Sequence, residues 1–181
     1  MYRLFVAIDL PEWVKEAVAA IVGRNLAGAR LVPMAQLHLT LRFIGETDEA
    51  LFQAIKGCLN GVKGISFPLT LKEVGHFPKA GHPRVLWVGM EESAALRGLH
   101  GEVEKHLMTA GVSPEGRSFS PHITIARLKE TPTAKVISLE ERHQRFNAGP
   151  FPVEEFHLYS STLTRDGAIH ERAASYRLSS F

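Results

Sequence analysis

SPHITIARLKE, residues 120–130, reads as a β-strand with an unusual face. Side chains alternate across a strand, so His122 and Thr124 share one side while Ile123 and Ile125 share the other. One face suits a core. The other presents an imidazole beside a hydroxyl. A lone histidine of this kind is an ordinary satisfied core residue, so its meaning depends on the rest of the chain.

Working outward, the pattern gives a strand at RLFVAID (3–9) and a helix from Pro11 to about Gly28. A second strand covers LHLTLRFIG (37–45), followed by a helix from Asp48 to Leu59 that Thr47 is expected to cap. Strands FPLTLKEVGHF (67–77) and RVLWVGM (84–90) are joined by KAGHP, and a helix from Ser93 to Ala110 stops at Gly111. After 120–130 come a short helix over 133–143 and strands at FPVEEFHLY and HERAASYRL.

A shift of 84 residues superposes the chain on itself. His38 falls on His122, Thr40 on Thr124, Glu46-Thr47 on Glu130-Thr131, and Phe67-Pro68 on Phe151-Pro152. Both His-x-Thr segments hold aliphatic residues at the intervening positions, and a helix follows each. This is the signature of an internal duplication, and its period is too long for a solenoid. Residues 1–181 are expected to form one domain of two pseudo-symmetric lobes.

Composition narrows the function. Of 181 residues, 45% are hydrophobic and 22% charged, ordinary for a globular protein. One cysteine, Cys58, excludes an intrachain disulfide and any multi-cysteine zinc site. With no signal-peptide pattern and no apolar run of membrane-spanning length, a cytoplasmic protein without membrane attachment is expected. A net charge of +2 is too balanced for a protein that coats nucleic acid, so any RNA contact should involve an end or a few nucleotides.

Two histidines on opposite sides of a substrate suit in-line displacement at phosphorus. One accepts a proton from the attacking oxygen and the other donates one to the leaving oxygen. An ordinary imidazole pKa of about 6.5 keeps both forms accessible. Thr40 and Thr124 would hydrogen-bond the non-bridging oxygens as charge develops. No carboxylate accompanies either histidine on its face, so no metal is expected. His100 and His106 do not share a helix face, the HERAAS segment lacks the second histidine of a His-Glu-x-x-His site, and no P-loop is present.

The segments RLFVAIDLP, VPMAQLHLTLRFIGE, PRVLWVG, SPHITIAR and EFHLYSSTLTRDGAIHERAASYRL resemble, in order and over nearly the whole chain, the two-histidine phosphoesterases. Among these the chain is similar to the RNA 2′,3′-cyclic phosphodiesterases, also called 2′-5′ RNA ligases. The resemblance implies a fold of class α+β, bilobal, with an antiparallel sheet in each lobe, helices outside and the active-site cleft between the lobes. It implies cleavage of a 2′,3′-cyclic phosphate at an RNA 3′ end to a 2′-phosphate. It also implies a reversible, ATP-independent 2′-5′ joining of RNA ends and no cofactor. His38 and His122 become the acid–base pair, with His122 expected to activate water and His38 to protonate O3′. Thr40 and Thr124 become phosphate contacts. The partners implied are RNA 3′ ends, bound by a monomer.

Other positions are more open. Arg127 matches a recurrent family arginine, but strict alternation points it away from His122 unless the strand bulges. Arg42 falls on the His38–Thr40 face by alternation. Burial preference assigns Phe43 to the core, and the functional alternative is a platform for an RNA base. His76 and His82 read as surface residues near the KAGHP loop. His170 stands where the family often has tyrosine and reads as structural. Two other functions fit the motifs: a two-histidine enzyme for a small cyclic phosphate or 2′-5′ oligonucleotide, and a non-catalytic RNA-binding module. Gains in activity with added nucleotides would favour RNA ends over the first. RNA affinity that survives loss of either histidine, without turnover, would mark the second.

Overall fold

The computed structural model describes residues 1–180. In chain order the elements are β1 (Tyr2–Asp9), α1 (Glu12–Val22), β2 (Ala29–Leu31), β3 (His38–Thr47), α2 (Glu49–Cys58), β4 (Phe67–Phe77), β5 (Val85–Met90), α3 (Ala94–Thr109), β6 (Ile123–Leu128), α4 (Thr133–Arg142), β7 (Asn147–Val153), β8 (Glu155–Thr164) and β9 (Gly167–Arg177). The fold is α+β, with two antiparallel sheets ordered β3-β1-β8-β9 and β2-β6-β5-β4-β7. Helices α2 and α3 pack on the first sheet through β1 and β3, while α1 and α4 pack on the second through β7 and β4. No described helix is long and apolar enough to cross a membrane.

The 84-residue correspondence is visible in the elements. Helix α2 maps onto α4, β3 onto β6, and β1 onto β5. The sheets, however, do not follow the halves of the chain. Strand β4 joins the sheet of β5 and β6, and β8 joins that of β1 and β3. Pro68 pairs with Pro152 across β4 and β7, so the two Phe-Pro dipeptides meet in neighbouring strands.

Several local expectations are corrected. Helix α1 ends at Val22, because Gly23 takes φ 70° and turns the chain out. Gly28 lies beyond it at φ 73°, where a Cβ would sit 2.4 Å from the Glu130 backbone carbon. Glycine there lets the chain press against the end of the second motif, and Lys129 N–H donates to the Gly28 carbonyl at 3.0 Å. The cap of α2 is Asp48, whose carboxylate accepts from Leu51 N–H at 2.8 Å. Thr47 is buried instead, its hydroxyl donating to the Tyr2 carbonyl. The segment read as one strand at 151–159 is divided between β7 and β8.

Candidate active site

Leu39, Leu41, Ile123 and Ile125 are all at most 4% exposed, and they anchor both His-x-Thr strands in the core. Their partners on the opposite face line a cavity of about 620 Å³ between the sheets. His38, Thr40 and Phe43 enter it from β3, and His122, Thr124 and Arg127 from the start and body of β6.

The two rings are held alike. His38 Nδ1 lies 2.7 Å from the Gln36 carbonyl oxygen, and His122 Nδ1 lies 2.8 Å from that of Ser120. A carbonyl only accepts, so each Nδ1 carries the proton and Nε2 is the nitrogen left for chemistry. His38 Nε2 sits 3.1 Å from the Thr40 hydroxyl. The His38 ring stacks on Phe5, with centroids 5.0 Å apart, and Phe5 stacks on Tyr159 at 5.2 Å. His122 meets the edge of Phe77 at 5.1 Å, and Phe77 leans on Trp87. Burial holds the His38 pKa below the ordinary imidazole value, against a raising effect from the Gln36 carbonyl.

Bulges decide which later residues reach the cavity. On β3, Ala7 pairs with Thr40 and Val6 with Arg42, leaving Leu41 extra. On β6, Trp87 pairs with Thr124 and Leu86 with Ala126, leaving Ile125 extra. Each extra residue reverses the alternation beyond it. Arg127 therefore turns into the cavity. Phe43 does too: it is 46% exposed, with Arg3 Cζ 5.2 Å from its ring centroid, which corrects the core assignment. Arg42 is corrected in the opposite sense, because it turns behind the strand. Its guanidinium pairs with Glu104 at 2.6 Å and Glu115 at 2.8 Å and donates to the Ser113 carbonyl at 2.5 Å. Those contacts tie β3 to α3 and to the loop that leads into His122.

Other lining residues gave little sign in the sequence. His170 lies edge-on to both His38, at 5.7 Å, and Phe5, at 4.9 Å, so it is part of the cavity wall. Its unusual identity was the one available signal. Arg30, on the short β2, also reaches the cavity. Behind His38, Asp9 accepts from Tyr159 Oη at 2.5 Å and pairs with Arg172. Burial and that acceptor push the Tyr159 pKa up to about 12. Outside the cavity, His76 Nδ1 pairs with Glu140 Oε1 at 2.5 Å, and its 13% exposure corrects the surface reading.

Paired imidazoles held through Nδ1, two hydroxyls and several arginines line a cavity suited to a phosphate ester. Comparison with known proteins agrees. Residues 9–165 match the 2′-5′ RNA ligase superfamily model. An RNA 2′,3′-cyclic phosphodiesterase of Methanocaldococcus jannaschii is 33% identical over 93% of this chain and 96% of its own. One from Thermotoga maritima is 37% identical over 93% and 91%. Among solved structures, apo LigT of E. coli superposes with a TM-score of 0.80 at 27% identity, covering 98% of both chains. Sequence and architecture converge, and the chain belongs to the 2′-5′ RNA ligase superfamily.

Proposed function

We propose that this protein is an RNA 2′,3′-cyclic phosphodiesterase that opens the cyclic ester to a 2′-phosphate by histidine acid–base catalysis. The observation that carries this reading is the matched pair of His-x-Thr strands facing one cavity, each ring held by its Nδ1–H. His122 Nε2 takes a proton from water as the water oxygen bonds to phosphorus. The P–O3′ bond breaks on the far side, and His38 Nε2–H protonates O3′. Burial of His38 destabilises its imidazolium, so the proton passes readily to the leaving oxygen once the anionic substrate has brought it in. The Thr40 and Thr124 hydroxyls donate to the non-bridging oxygens. Arg127 contacts the RNA backbone and Phe43 a base.

With a 5′-hydroxyl in place of water, the same displacement leaves a 2′-5′ linkage and consumes no nucleotide. The reaction as drawn uses no metal. The names of the relatives support the RNA substrate, and the matched motifs support the mechanism.

The test is hydrolysis of a short RNA ending in a 2′,3′-cyclic phosphate, with EDTA present, for wild type, His38→Ala and His122→Ala. Turnover to a 2′-phosphate, reduced by about a hundredfold or more in each variant, is expected. A 3′-phosphate product would reverse the leaving group. Loss of wild-type activity in EDTA would replace this mechanism with a metal-dependent one.

A further inference from the structure

His170 sits on β9 and His38 on β3, the two edges of the sheet ordered β3-β1-β8-β9. Two strands separate them, so a flat sheet would hold them roughly 14 Å apart. Their ring centroids are instead 5.7 Å apart, because the sheet curls until its edges approach each other over Phe5, whose ring meets both. Gln36 secures this approach. Its carbonyl accepts from His38 Nδ1–H at 2.7 Å, and its side-chain Nε2 donates to the Ala168 carbonyl at 2.8 Å, two residues before His170. One residue therefore helps to place both imidazoles.

The reaction drawn above gives His170 no part. Its Nδ1 is buried without a hydrogen-bond partner among the described residues, which leaves Nε2 as the nitrogen on the cavity side. A buried N–H without an acceptor is rarer in folded proteins than an under-used acceptor, so the proton belongs on Nε2. Burial lowers the His170 pKa, and the ring is a neutral donor around neutral pH. That neutrality suits its neighbour. A cation at this distance would oppose the protonation of His38, which must carry the proton for the leaving oxygen. A phosphate within hydrogen-bond reach of His38 Nε2, at about 3 Å, also lies against the His170 ring.

We propose that His170 is a third donor to the reacting phosphate, its Nε2–H bonding a non-bridging oxygen beside His38. This deepens the phosphodiesterase reading and rests on it. Negative charge on those oxygens grows as water adds to phosphorus, so a fixed donor there stabilises the transition state more than the bound substrate. Because the donor is neutral, it does so without drawing the proton off His38.

The test is cyclic-phosphate hydrolysis by His170→Phe, His170→Gln and His170→Tyr. Phenylalanine keeps an aromatic ring against Phe5 and loses the donor, glutamine loses the ring and keeps a donor, and tyrosine keeps both. His170→Phe should lower kcat/KM by about ten- to hundredfold, the scale of one hydrogen bond to a charged group, and His170→Gln and His170→Tyr should each recover part of that loss. The two diastereomers of a 2′,3′-cyclic phosphorothioate put sulfur, a weak acceptor, at one or the other non-bridging position. The loss in His170→Phe should be smaller on the isomer whose sulfur faces position 170, since that isomer has less of the bond to lose. Equal losses on both isomers, or wild-type rates in His170→Phe with a loss in His170→Gln, would make His170 a packing residue and overturn the contact, leaving the phosphodiesterase reading intact. A wild type that cleaves no cyclic phosphate would overturn that reading, and the contact with it.

Discussion

Phe43 and Arg127 occupy equivalent places in the two halves of the chain, 84 residues apart, and each reaches the cavity because one extra residue, Leu41 or Ile125, interrupts its strand. The duplicated backbone thus presents an aromatic ring on one side and a guanidinium on the other. The histidines and threonines stay matched while the residues beyond the bulges have diverged. We expect this divergence to separate base recognition from phosphate recognition.

Replacing Phe43 by alanine should raise KM for an oligonucleotide substrate by about five- to hundredfold, because stacking on a base contributes about 1–3 kcal/mol. With the ring 46% exposed, the unfolding free energy should change by only about 0.5 kcal/mol. A loss of several kcal/mol in urea titration would return Phe43 to the core.

Thr40→Val and Thr124→Val keep the shape and remove a donor. Each should lower kcat by about a hundredfold, the scale set by deletion of one transition-state hydrogen bond. An increase in KM with kcat unchanged would instead make the hydroxyls ground-state contacts.

Arg42→Ala leaves Glu104, 17% exposed, without its partner. Breaking such a pair should cost about 3–5 kcal/mol in equilibrium unfolding. Replacing Arg42 and Glu104 together by apolar residues should recover part of that loss, and a double-mutant cycle would measure the coupling. Additive effects would mean that Arg42 acts through Ser113 and the loop rather than through the ion pair.

Burial lowers the pKa values of His38, His100, His157 and His170. Between the folded values and the unfolded value near 6.5, the unfolded chain binds more protons. Stability should therefore fall as pH drops through 6.5 and stop falling, for these groups, below their folded values. Urea midpoints at pH 7.5 and 5.5 would check the sign. His157→Gln, which removes a 1%-exposed ring beside Asp9 and Glu155, should flatten the dependence. A midpoint that rises on acidification would contradict the burial argument.

The strand–helix order and the two motifs were legible in the sequence because period-two alternation and an 84-residue self-match are properties of the chain alone. The destinations of Arg42, Phe43 and Arg127 were not. A bulge is set by pairing with a distant strand, here β1 or β5, and one inserted residue reverses every facing assignment after it. The cap of α2 shifted from Thr47 to Asp48 because Thr47 is drawn inward to the Tyr2 carbonyl, another non-local contact. Helix α1 ends six residues short of Gly28, the expected stop, because Gly23 already takes a positive φ that breaks the helix. Strand β2, at three residues, was too short to show a period, which hid Arg30.

The placement of β4 beside β5, and of β8 beside β1, has a consequence for how such a chain arose. The first half gives β2 and β4 to the sheet of β5, β6 and β7, and the second gives β8 and β9 to that of β1 and β3, so neither sheet is built from one half alone. Two copies of an ancestral unit trading those strands as a homodimer, then fused end to end, would leave this connectivity. The cavity would have stood at the seam between two subunits before one gene encoded both.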